Sequence, residues 1–164
     1  MASVSDDKAQ VIQVPNLLRA KIGNKPGPDL DQIVKDAEAA ISDMQEQGED
    51  WIRDYLKTIN EALERARAQV PPDPEAITLI CKTSHELKGQ AGTFSYPLLT
   101  VAAKLLQRFI ERDPSVAARH LDLIAAHIDF MNLVVQNRVQ GDGGPQEDQL
   151  LTALETAAQK LSNE

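Results

Sequence analysis

Apolar residues recur at helical spacing in six consecutive stretches of this chain, and proline or glycine stands between them. Asp29 suits an N-cap, and Leu30, Ile33, Val34, Ala37, Ile41 and Met44 follow it. Gly48 is expected to interrupt that pattern before Trp51, Ile52, Tyr55, Leu56, Ile59, Leu63 and Ala66. Pro71-Pro72-Asp73-Pro74 ends the second stretch, because proline removes a backbone donor and restricts the residue before it. Asp73 and Pro74 then fit the cap and first position of a third helix that reaches about Phe94. A short break at Ser95-Tyr96-Pro97 leads into Leu98, Val101, Ala102, Leu105, Leu106 and Phe109. Asp113-Pro114 opens one further long helix, with Val116, Leu121, Ile124, Ala125, Ile128, Met131 and Val135 expected on its inner face. Beyond the linker Gly141-Asp142-Gly143-Gly144-Pro145, Leu150, Leu151, Leu154, Ala157, Ala158 and Leu161 make a final helix.

Strand-like alternation is nowhere sustained and aromatics are only 4% of residues, so the core has to be aliphatic and helical. Helices two to five have similar lengths and short connections, which predicts an antiparallel four-helix bundle with an additional N-terminal helix and a C-terminal helix. The expected organisation is an N-terminal extension and linker over 1–28, a helical domain over 29–139 with its bundle core at about 49–139, and a linker and terminal helix over 140–164. The extension holds the apolar patch Val11-Ile12-Gln13-Val14-Pro15-Asn16-Leu17-Leu18 and ends in Gly23-Asn24-Lys25-Pro26-Gly27-Pro28. The apolar faces of the first and last helices suit packing either on the bundle or on a second copy.

Within the third helix, Thr83 to Gly92 carries the chemistry. Residues three, four and seven apart share a helix face, so His85, Lys88, Gly89 and Gly92 form one stripe, while Ile80, Leu87, Ala91 and Phe94 fall opposite. Each helical glycine costs about 1 kcal/mol relative to alanine, and two of them beside one histidine imply that something large approaches the imidazole. A neutral imidazole offers an unprotonated ring nitrogen near pH 7, so it needs no separate base to act as a nucleophile. Lys88 reads either as a solvated helix lysine or as a point charge for an anion held at His85. Gly92 fits partner clearance or close helix packing. Lys82, one turn before Glu86, is either in a surface ion pair or a source of positive potential for an acidic partner pocket.

His85-x-Leu87-Lys88-Gly89 resembles the signature of histidine-containing phosphotransfer (HPt) domains, the helical intermediates of multistep phosphorelays. The similarity continues through Ala91 and Gly92, Phe94, and Leu98-Leu99; it departs at Gln90-Ala91, where the family usually has Ser-Ser, and at Ser95, where a second glycine is common. The resemblance implies that His85 accepts a phosphoryl group from a receiver-domain aspartyl phosphate and passes it reversibly to another response-regulator receiver. It implies that Lys88 supports the phosphoryl group and that Gly89 admits the partner. By helix position alone, Gly92, Lys82 and Gln90, the last off the main stripe but able to hydrogen-bond nearby, are further candidates for partner contact. Attack through the ring nitrogen farther from the backbone comes with the resemblance. The partners implied are receiver domains and a hybrid sensor kinase, with Mg2+ belonging to the receiver and no cofactor of the chain's own. The alternative is a catalytically silent helical adaptor that binds or sequesters receivers; a third reading is an adaptor that dimerises through its terminal helices.

A net charge of −8 argues against general nucleic-acid binding, which draws on clustered Lys and Arg. No apolar run approaches the 18 or more residues that a membrane span needs, and the first residues lack the basic-then-apolar order of a signal peptide. A single thiol, Cys81, fits a reducing compartment, so a cytoplasmic location is expected. His120 and His127 share a helical face but are seven apart, too far for one compact metal site without further ligands. Asp29, Asp31, Glu49, Asp50 and Asp113 read as helix-start carboxylates, and Glu147, Asp148 and Glu155 as solvated residues of the last helix. No metal-ligand, nucleophile-triad or nucleotide-loop pattern is present, so the expectation is a carrier without kinase activity of its own.

Overall fold

Aspartate and proline set most of the helix starts in the computed structural model, which describes residues 29–162; the patch Val11–Leu18 lies outside those residues. Six α-helices and one 3-10 turn are present among the described residues: α1 (Leu30–Arg67), α2 (Pro74–Ala91), the turn Gly92–Phe94, α3 (Pro97–Arg112), α4 (Pro114–Arg119), α5 (Leu121–Gln136) and α6 (Pro145–Leu161). The expected all-α helical bundle is what forms. By compactness the chain divides between Ala39 and Ala40. On the N-terminal side of that division, Asp29 accepts a hydrogen bond from the Asp31 amide at 3.1 Å and so caps the first turns of α1.

On the C-terminal side lies the bundle. Ile52, Leu56, Ile59 and Leu63 of α1, Ile77, Ile80 and Leu87 of α2, Leu99 and Leu106 of α3, and Ile124, Ile128, Met131 and Val134 of α5 make one aliphatic core. α2 and α3 pack most extensively on each other, α3 also packs on α5, and α6 covers α3 and α5 with Leu151 buried. The last helix therefore packs on the bundle, whereas Ile41 and Met44 of α1 stay exposed. Polar ties fix α1: Asn60 and Asn132 exchange side-chain hydrogen bonds at 3.2 and 3.3 Å, joining α1 to α5. The buried Tyr96 donates to Glu49 at 3.2 Å, and Glu49 also takes Arg53 at 3.0 Å.

The structure corrects the helix boundaries in two places. α1 does not break at Gly48. Gly48 is buried, and a Cβ there would collide with the ring of Phe94, which packs edge-on against Trp51 with centroids 5.9 Å apart. Glycine is needed there for close packing, and its modest propensity penalty does not end a helix that buries a face. The single helix expected after Asp113-Pro114 is two. His120 leaves the helical region (φ −121, ψ 50), its N–H closes α4 on the Val116 and Ala117 carbonyls, and α5 starts at Leu121. Val101, although it follows the apolar spacing of α3, is exposed.

The breaks around the motif helix fall where expected. Asp73 caps α2 by accepting the Glu75 amide at 2.9 Å, and its other oxygen takes Arg65 at 2.9 Å. At the far end, Ser95 in the left-handed region (φ 67) turns the chain into Tyr96 and Pro97. Asp113 accepts the amides of Ser115 and Val116 at 2.9 and 3.2 Å, which caps the start of α4 directly after α3.

Candidate functional site

α2 buries Ala76, Ile77, Ile80, Thr83, Ser84, Leu87 and Ala91, which turns His85 outward near mid-helix. One turn on, the half-buried Lys88 places Nζ 3.4 Å from His85 Nδ1. The shorter bond from that ammonium goes elsewhere, to Gln107 Oε1 on α3 at 2.8 Å. Gln107 in turn donates from Nε2 to Glu111 Oε1 at 2.6 Å. An ammonium only donates, so Nδ1 is the acceptor wherever the two meet, and the ring proton is then on Nε2. At 3.4 Å that contact is at the weak end of hydrogen bonding. Gln107 thus keeps the cation beside the imidazole without committing it to the ring.

Gly89 is exposed, and a Cβ built there meets nothing within 4 Å. At Gly92 the nearest group would be the Thr100 hydroxyl at 3.4 Å, ordinary contact with a side chain and no clash with neighbouring backbone. Neither glycine is required by packing, in contrast to Gly48. The surface beside His85 is open along α2 for two turns.

Gln90 donates to the Tyr55 hydroxyl at 3.0 Å, so its amide ties α2 to α1 at the rim of this surface. Lys82 is exposed, and among the described residues no ion pair joins it to Glu86; it borders a shallow depression with Arg65, Glu75 and Thr78. One turn before His85, Cys81 lines a cavity of about 380 Å3 with Ile77, Ile110, Glu111, Pro114 and Ala118. Burial, reinforced by the nearby Glu111 carboxylate, pushes the Cys81 thiol above its ordinary range.

Sequence reasoning missed Gln107 and Glu111. The signal was available: Ala103, Leu106 and Ile110 make an apolar stripe on α3, and Gln107 is a polar residue set inside it. Only 8% of Gln107 is exposed, and a buried amide needs partners. That one of them would be Lys88 depends on how α2 and α3 pack.

The model of the Hpt domain family matches residues 43–163. This chain belongs to the Hpt domain family. The match takes in most of α1 and all of α2 through α6, so the Lys88–Gln107 bridge lies wholly within it. No curated protein and no solved structure matches the chain.

Hpt domains are phosphotransfer carriers of phosphorelays and interact with receiver domains. Among the described residues of this Hpt domain, no cluster of three or more His, Cys, Asp or Glu side chains is placed to hold a metal ion. None of its described helices is long and apolar enough to cross a membrane.

His120 and His127 stand apart from the α2 face. His127 is fully buried in α5 and donates from Nδ1 to the Leu123 carbonyl at 2.8 Å, leaving Nε2 unprotonated and without a partner among the described residues. Burial pushes its imidazole below the ordinary value of 6.5, partly offset by the Leu123 hydrogen bond.

Proposed function

We propose that this Hpt domain carries a phosphoryl group on His85, accepting it from the aspartyl phosphate of a receiver and delivering it reversibly to another response-regulator receiver. The observation that supports the reading best is an exposed imidazole with an ammonium 3.4 Å away and an unobstructed glycine face beside it. In the transfer, the lone pair of His85 Nε2 attacks phosphorus. The P–N bond forms as the P–O bond to the receiver's carboxylate breaks, and the bonding pair leaves with that carboxylate. Nε2 can attack only when the ring proton is on Nδ1, so Lys88 has to turn from the ring. Its ammonium then pairs with the phosphoryl oxygens, where it neutralises charge. Reversal retraces the same bonds.

Mg2+ belongs to the receiver's carboxylate site, and a hybrid sensor kinase is the upstream source of phosphate. The carrier works in the cytoplasm, where receivers and kinase domains meet it. Gly89 and Gly92 provide the clearance for docking; Gln90 and Lys82 lie at its rim.

Time-resolved transfer from a panel of phosphorylated receivers tests the reading. Label should leave at least one receiver and appear on this chain, then return when fresh unphosphorylated receiver is added. A receiver that binds tightly but never transfers label would point to a silent adaptor.

A further inference from the structure

We propose that Glu111 is a positioning residue for Lys88, acting through the side-chain amide of Gln107; the proposal rests on the reading of His85 as phosphoacceptor. Gln107 stands between a group that only donates and a group that only accepts. The Lys88 ammonium lies 2.8 Å from its Oε1, and the Glu111 carboxylate lies 2.6 Å from its Nε2. One orientation of the amide satisfies both neighbours. Turned by 180°, the amide would set its NH2 against the ammonium and its carbonyl against the carboxylate, opposed at both ends. Glu111 therefore reinforces the orientation in which a carbonyl oxygen, and not an NH2 group, faces Lys88.

The consequence reaches His85. A lysine side chain has large rotamer freedom, and ordering it during the reaction would add to the barrier. The Gln107 carbonyl restricts Lys88 beforehand, within 3.4 Å of Nδ1, yet takes the shorter hydrogen bond itself. Glu111 sits one turn after Gln107 on α3 and opposes the flipped amide at its second end, adding to the preference that the ammonium sets at the first. Gln107 is buried enough that water is a poor substitute for either partner, whereas Glu111 is exposed and can be altered without opening the core.

The test is a double-mutant cycle on the whole chain, read by the initial rate of phosphoryl transfer from a phosphorylated receiver. Glu111→Ala should slow transfer about three- to tenfold, the size of one net hydrogen bond, with the melting temperature held. Glu111→Gln keeps a carbonyl oxygen able to take the Gln107 N–H and should restore most of the rate. In a Lys88→Ala background, Glu111→Ala should have no further effect. An equal slowing in that background, or no slowing in the wild-type background, overturns the proposal. A second readout needs no phosphate. In the unphosphorylated protein, the Lys88 Nζ resonance in 15N NMR should shift and broaden on Glu111→Ala and return with Glu111→Gln; an unmoved resonance overturns the proposal by itself. Failure of wild-type labelling counts against His85 as phosphoacceptor, while a shifted Lys88 resonance would still establish the positioning chain, so the two ideas fail separately.

Discussion

Lys88 Nζ lies 2.8 Å from Gln107 Oε1, across the seam between α2 and α3, and 3.4 Å from His85 Nδ1 on its own helix. The bond to Gln107 holds the lysine beside the imidazole in the free protein, where the proposed transfer needs a cation. Replacing the lysine should weaken transfer without abolishing acceptance, because the nucleophile is untouched. Lys88→Ala is expected to lower the receiver-dependent rate about ten- to hundredfold, the range for a hydrogen bond to a charged group. Rapid-quench labelling measures it; a rate equal to wild type would return Lys88 to the status of a solvated helix residue.

Gly89 separates stability from function. A side chain there meets open space, so alanine should add up to about 1 kcal/mol of helix stability. Gly89→Gln should preserve or raise the melting temperature, yet obstruct a receiver that must bring reacting atoms within roughly 3–3.5 Å. Phosphoramidate, a small donor, should still label His85 in that variant. Unchanged transfer from a receiver would show that the glycine is not docking clearance.

Gly48 should behave in the opposite way. A Cβ there strikes the Phe94 ring, so Gly48→Ala gains helix propensity but displaces Phe94 from Trp51. Overpacking of this kind costs about 1–3 kcal/mol, which outweighs the roughly 1 kcal/mol gained from propensity. Thermal unfolding should show a lower midpoint together with altered Trp51 fluorescence. A raised midpoint would mean that Phe94 swings aside freely.

These two glycines also show what was legible in the chain. The His85 face could be read because helical periodicity alone puts Lys88 and Gly89 beside it and Leu87 opposite. Gly48 was misread as a break because its reason, Phe94, is 46 positions away and reaches it only through tertiary packing. Local propensity carries no such information. The separation of α4 from α5 at His120 was hidden for a related reason: the apolar spacing runs on through Leu121 and Ile124, and only the backbone turn at His120 divides it. Gln107 and Glu111 were within reach as a polar interruption of an apolar stripe, but their partner Lys88 is on another helix. The caps at Asp73 and Asp113 were readable because a cap is a contact between near neighbours in sequence.

His127 gives the fold a pH dependence of its own. Its folded-state value lies below 6.5, so between that value and 6.5 the unfolded chain binds a proton that the folded chain does not. Stability should therefore fall as pH drops below about 6.5, and this contribution stops changing once pH reaches the folded value. Urea unfolding between pH 8 and pH 5 measures it. His127→Leu should flatten that part of the profile; an identical slope in the variant would assign the dependence to other groups.

The central claim is that His85 is the residue that becomes phosphorylated, and site-resolved labelling addresses it most directly. Wild-type protein and His85→Gln, both verified as folded by circular dichroism, are incubated with the same phosphorylated receiver and Mg2+. The account predicts an acid-labile, alkali-stable phosphate on the wild type, located to the peptide containing His85, and no label on the variant. Undiminished label on His85→Gln, or label that is lost in alkali as from a carboxylate, would contradict it.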